Sequence, residues 1–143
     1  MSRLQEQIEI NAPAEDVWAQ LHRFDQYPEF VDGVRSAFAE HGNRAHFDVG
    51  VGGERRGFET ELTDRGAEQV LAWQTVGGSP ELKGAFTVRE LDGGHCALQA
   101  RLEYDGAALQ EAFGGPKGFA QVRAVEEAVR TDLEQFKELV ENR

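Results

Sequence analysis

Apolar positions follow two periods along this chain, and the change from one to the other lays out the fold. Leu4, Ile8 and Ile10 alternate with Gln5, Gln7 and Glu9, the period-two pattern of a strand with one dry face. Ala12-Pro13-Ala14-Glu15-Asp16 then opens a short helix. Its proline stands near the first helical position, its acids fall in the first turn, and Val17, Trp18 and Leu21 form its apolar side. Pro28 interrupts the segment Phe24 to Val31, so a second short helix is predicted to begin near it. From Val34 to Asp105 the period is again two, punctuated about every dozen residues by Gly42-Asn43, Gly52-Gly53, Asp64-Arg65-Gly66, Gly77-Gly78-Ser79-Pro80 and Asp92-Gly93-Gly94. That spacing predicts an antiparallel meander.

Within the meander, Ala45, Phe47, Val49 and Val51 share one face. So do Phe58, Thr60 and Leu62, then Leu82, Phe86 and Val88, then Leu98, Ala100, Leu102 and Tyr104. His46, Asp48, Glu59, Glu61, Lys83, Arg89, Gln99, Arg101 and Glu103 fall opposite, giving a sheet wet on one side and dry on the other. Val70 to Trp73 is apolar throughout, and bulk alone favours Leu71 and Trp73 as its inward pair. A bulge is expected between Val34 and Phe38. Gly106 to Gly115 reads as a loop.

From Lys117 to Asn142 the period becomes helical. Phe119, Val122, Val125, Val129, Leu133, Phe136, Leu139 and Val140 recur at steps of three and four, and acidic and basic residues cover the other face. Gly114-Gly115-Pro116 supplies the break before it. Such a helix runs roughly 39 Å at about 1.5 Å per residue. A one-faced sheet and a one-striped helix each need the other's dry surface. Six or seven strands of this length curl around a helix more readily than they lie flat on it, and a space between them tends to remain. The predicted class is therefore α+β.

The chain has 143 residues, enough for one domain with one core, and nothing divides it: 1–143 reads as a single unit without repeats or linkers. Its 26 acidic and 15 basic residues give a formal net charge of −11. Nucleic-acid binding through phosphate neutralisation and attraction to anionic lipid surfaces are both disfavoured. The one cysteine, Cys96, excludes an intramolecular disulfide and a cysteine metal cage. No run approaches the ~20 apolar residues of a membrane-spanning helix and the first residues lack a signal-like core, so a cytoplasmic location is expected.

Candidate chemistry is sparse. His22, His41, His46 and His95 have no partner at metal-ligand spacing, and each reads as a solvated surface residue; neither a metal nor another cofactor is expected. Serines occur only at positions 2, 36 and 79, with no nucleophile elbow. Cys96 follows His95 directly, and adjacent strand residues point to opposite faces, so a buried thiol is the better reading. The glycine-rich stretch Gly50 to Gly57 opens no helix and reads as a hairpin, not a phosphate loop. The inward-reading polar residues reduce to Arg56, Thr60, Gln74 or Thr75, Glu90 and Tyr104. Arg56 shares the parity of Phe58 and is the candidate polar anchor for a carboxylate or phenolate; in the plainer reading it lies in water beyond the buried part of its strand.

The opening strand followed by Ala12-Pro13-Ala14-Glu15-Asp16-Val17-Trp18, the segment Phe24-Asp25-Gln26-Tyr27-Pro28-Glu29-Phe30, the strand ends Leu71-Ala72-Trp73 and Leu102-Glu103-Tyr104, and the terminal Asp132-Leu133-Glu134-Gln135-Phe136-Lys137 resemble the START-like (SRPBCC) superfamily, in its polyketide cyclase/dehydrase and coenzyme-Q-binding branch. The resemblance spans essentially the whole chain. It implies a helix-grip fold, a curved antiparallel sheet of six to seven strands around a long C-terminal helix, with two short helices after the first strand and a hydrophobic cavity in the grip. It turns the inward aromatic set from core filler into cavity lining. Phe30, Phe47, Phe58, Thr60, Trp73, Phe86, Tyr104, Phe113, Phe119 and Val122 are the candidate ligand-binding residues, with Tyr27 to Phe30 and the Gly106 to Gly115 loop as the gate.

Three functions compete. The first is binding or transport of a hydrophobic small molecule, a lipid, quinone or polyketide-like compound. The second is a cyclase or dehydratase working without metal or nucleotide cofactor. It needs an inward ionisable pair, and no complete catalytic set can be matched to the family's. The third is a partner-binding module, which would show a filled interior and an exposed apolar patch. The oligomeric state is open, a homodimer included.

Overall fold

A computed structural model describes residues 2–51, 54–77, 81–108 and 122–142. Strand β1 (Ser2–Ile10) leads into helix α1 (Ala14–Leu21) and a 3-10 turn (Phe24–Glu29). Six strands follow: β2 (Val34–Ala39), β3 (Arg44–Val51), β4 (Glu54–Arg65), β5 (Val70–Thr75), β6 (Leu82–Asp92) and β7 (His95–Tyr104). Helix α2 (Val122–Glu141) comes last. All seven strands form one antiparallel sheet in the order β1-β7-β6-β5-β4-β3-β2. The meander therefore runs from β2 to β7, and the first strand closes onto the last, with Ser2 opposite Tyr104 and Ile10 opposite Cys96. This is the expected α+β helix-grip arrangement.

The period-two reading of the faces holds for the large side chains of β6 and β7, although Ala85 and Ala97 of the outward set are also buried. Ala45, Leu71, Val88, Leu98 and Ala100 are buried on the inner side, and Lys83, Arg89 and Arg101 are exposed. Cys96 is buried and His95 exposed, as alternation requires. The expected bulge in β2 shows as a shift of register between Val34 and Ser36. On α2, Leu133, Phe136 and Val140 are buried, with Val129 and Leu139 half-buried against the same core.

Four local readings differ. The second short helix does not begin at Pro28 but ends just beyond it. It is a 3-10 turn from Phe24, and the Phe30 and Val31 N–H groups both donate to the Tyr27 carbonyl at 3.1 and 2.9 Å. A 3-10 turn of six residues leaves room for a proline whose missing N–H an α-helix would need. Residues 106–108 are helical rather than loop, because the Asp105 carboxylate caps the Ala107 and Ala108 N–H groups at 3.0 and 3.2 Å. His22 is not simply solvated. Its Nδ1 meets the Trp18 carbonyl at 2.8 Å and its Nε2 the Asp64 carboxylate at 2.7 Å, tying the end of α1 to the end of β4. His46 is likewise engaged, with Glu59 and Asp48.

Candidate functional site

The sheet and α2 do not fill the room between them. They enclose a cavity of about 380 Å³. Alternation in the strands delivers its wall: Phe47 and Val49 from β3, Phe58, Thr60 and Leu62 from β4, Leu71 and Trp73 from β5, Leu82 and Phe86 from β6, and Leu98, Ala100 and Leu102 from β7. Val125, Val129, Leu133 and Phe136 come from α2, one turn apart, and form the opposite side. Nearly all of this surface is carbon.

One end is closed by rings. Phe24 and Tyr27 meet Phe47 at centroid distances of 6.3 and 5.5 Å, both edge to face; Tyr27 leans on Phe30 at 4.7 Å, and Phe30 meets Phe136 of α2 at 4.9 Å and 79°. These are the favoured geometries for aromatic pairs, so the 3-10 turn is pinned between sheet and helix. Tyr27 is further fixed by its hydroxyl, which donates to the Leu21 carbonyl at 2.7 Å in a fully buried setting that pushes its pKa upward. At the β5–β6 pair the wall depends on a missing side chain: Trp73 lies across Gly84, where a Cβ would come within 2.9 Å of the indole and 2.5 Å of the Arg101 carbonyl oxygen.

Of the residues singled out from sequence, Phe30, Phe47, Phe58, Thr60, Trp73 and Phe86 come together around this cavity. Thr60 is buried and gives its hydroxyl to the Ala45 carbonyl at 3.0 Å, which leaves its methyl to the interior. Thr75 also lines the cavity, whereas Gln74 and Glu90 are exposed. Tyr104 is fully buried beside Ser2 and Leu82 at the end of β7 and is not part of the lining. Arg56 is exposed on β4 opposite Val49 and does not line the cavity either. Phe113, Phe119 and the side chain of Val122 lie outside the described residues, as does the gate loop beyond position 108.

The polar feature that sequence reasoning missed is a pair of acids, Asp32 and Asp132, both in the lining. The backbone N–H of Asp32 donates to Asp132 Oδ1 at 3.2 Å, and Gln135 Nε2 donates to Asp32 Oδ1 at 3.4 Å. Burial, reinforced by the negative charge of Asp32 and opposed by its N–H, pushes the Asp132 carboxyl up to about 7. The signal was present. Asp132 stands three residues after Val129 and four before Phe136, on the apolar stripe and not the charged face.

On the outer face, Glu40, His46 and Glu59 bring ligand-type atoms within 4.8 Å of one another. Spacing along the chain hid this group because it is assembled from β3, β4 and the residue after β2, with His46 directly opposite Glu59. His46 Nδ1 is hydrogen-bonded to Glu59 and its Nε2 meets Asp48 at 3.1 Å. These contacts, Glu59 first, hold the imidazole above its usual range. The group reads as an outer-face ion-pair network.

A sequence model described as polyketide cyclase / dehydrase and lipid transport matches residues 1–141. The chain belongs to that family. A relative from Streptomyces lincolnensis, a 17.2 kDa protein of the melC2-rnhH intergenic region, is 29% identical over all 143 residues and 92% of its own length. Three solved structures share the fold of this polyketide cyclase/dehydrase family member. The Streptomyces aromatase/cyclase Zhui superimposes with a TM-score of 0.76 at 18% identity, covering 99% of this chain and 94% of that one. A START superfamily protein from Mycobacterium smegmatis gives 0.76 at 17%, covering 98% and 97%. The di-domain aromatase/cyclase BexL gives 0.75 at 20%, covering 99% of this chain and 47% of that one, so this chain spans about half of the di-domain protein. Among the described residues, no helix is long and apolar enough to cross a membrane.

Proposed function

We propose that this protein holds a hydrophobic small molecule, a lipid, quinone or polyketide-like compound, between its sheet and α2. The observation that carries the reading is the carbon-lined cavity of about 380 Å³. That size falls within the range of ordinary small-molecule sites, and a space of this kind is kept only at a cost in packing that a ligand would repay. The aromatic group around Tyr27 and Phe30 would act as its gate. A panel of lipids, quinones and polycyclic aromatics should raise the melting temperature, and native mass spectrometry of freshly purified protein should show a bound organic mass. Unchanged melting across the panel, with only the bare chain in the mass spectrum, would count decisively against it.

One observation favours a second reading, a cyclase or dehydratase acting on a polyketide-like chain: Asp132 supplies a carboxyl matched to proton transfer near neutrality, with a second carboxyl beside it. Turnover of a poly-β-keto substrate analogue that falls by about 10²–10⁴ in Asp132→Asn would support it. Turnover indifferent to that change would remove it. A partner-binding module gains no such support, since the interior is hollow and the large apolar side chains exposed among the described residues are Phe38 and Leu91, one on β2 and one on β6.

A further inference from the structure

The cavity has a body and a head. Its body is hydrocarbon from six strands and a helix, and offers a ligand only shape and dispersion contacts. Its polar end is the place where Asp132 on α2 meets Asp32. Asp132 Oδ1 is already engaged by the Asp32 N–H. The second oxygen of that carboxyl is the atom left to meet a bound molecule. The charged group that bears on Asp132 is Asp32, also negative. Glu29 lies in the turn packed against α2, and Arg130, two residues before Asp132, is paired with Glu6 on β1 and Glu126 on α2. Arg101 is in the lining but is exposed and belongs to the outward parity of β7. A ligand carboxylate brought to this end would meet two acids, Asp132 half-buried and Asp32 exposed. A donor would meet an acceptor held in place.

We propose that Asp132 is the head-group anchor of the cavity and that the ligand it selects is apolar along its body and ends in a hydrogen-bond donor, a hydroxyl or an ammonium group, rather than a carboxylate. The inference rests on the cavity being a ligand site and narrows what that ligand can be. Alcohol-ended lipids, hydroquinones, phenolic polyketides and long-chain amines satisfy it; free fatty acids do not. An ammonium ligand needs the ionised carboxyl. With the carboxyl held up to about 7, the ionised fraction changes steeply across neutrality. The apparent affinity for an amine should therefore rise about thirtyfold between pH 5.5 and pH 8, in proportion to that fraction, while a hydroxyl ligand should change far less.

The test uses four probes sharing one body: 2-methylnaphthalene, 2-naphthalenemethanol, 2-naphthylmethylamine and 2-naphthoic acid. Dissociation constants are measured by calorimetry on the full chain at both pH values, in the wild type and in Asp132→Asn, which keeps the oxygen that accepts the Asp32 N–H. The expected order at pH 8 is amine, then alcohol, then methyl, with the acid weakest. The amine's advantage over the methyl probe should disappear at pH 5.5 and in the variant. Naphthoate binding as tightly as the alcohol, or an amine advantage that survives Asp132→Asn, overturns the anchor while leaving the cavity as a site. Failure of all four probes, the methyl body included, overturns both.

Discussion

Asp132→Asn also tests the acid without any ligand. The folded-state pKa of Asp132 lies above its ordinary value of 3.8, at about 7, so the folded protein keeps a proton that the unfolded chain releases. Stability carried by that proton is present below about pH 4 and is lost as pH rises through 7. The variant has no such proton. Its stability relative to wild type should climb between pH 4 and pH 8, as read by urea unfolding at each pH; a constant difference would mean the carboxyl ionises normally. Gly84 is the other position where one atom decides an outcome. Gly84→Ala places a methyl against a carbonyl oxygen on one side and the Trp73 ring on the other. The backbone oxygen has little freedom to move, so a loss of about 1–3 kcal/mol or more is expected in denaturant melts. Glycine at 84 stands between the inward Leu82 and Phe86, where alternation alone would put a large apolar side chain. The reason for it lies on β5 and β7, which no local pattern displays.

Among the elements, α2 forms one whole side of the cavity. Phe136 is 1% exposed and joins the helix to the 3-10 turn through Phe30. Phe136→Ala should cost about 3–5 kcal/mol in equilibrium unfolding, whereas a change at exposed Glu134 or Glu138 should lie within ±0.5 kcal/mol. The helix and the strands were readable because each has one dry side, and burial against a common core imposes the period that residue type then reports. The 3-10 turn was harder. Pro28 signals that an α-helix cannot continue, but it does not say on which side of the proline the turn lies. Asp132 escaped for a different reason. Polar residues on a helix are sorted by charge before they are sorted by angle, and one acid at stripe spacing looks like noise until the cavity behind it is seen.

For the molecule as a whole, a fold held open should tolerate being closed. Ala100 lines the cavity from β7 and is 7% exposed. Ala100→Phe should place a ring in the empty space, keep or raise the melting temperature of the free protein, and abolish the shift produced by any ligand. Retained ligand shifts would place the binding site elsewhere. The aromatic lining on β3 to β6 was foreseen because parity fixes which side chains face inward, but Tyr104 and Arg56 share that parity and lie away from the cavity. Parity gives the face and not how far along a strand the hollow extends. The pairing of β1 with β7 has one more outcome, which concerns how the molecule is made. Ile10 is opposite Cys96, so β1 leaves the ribosome some eighty residues before the strand it pairs with. In that interval the nascent polypeptide carries an unpaired strand with apolar side chains showing. Its closure is a late, long-range event, and an interrupted translation product would be a sticky one.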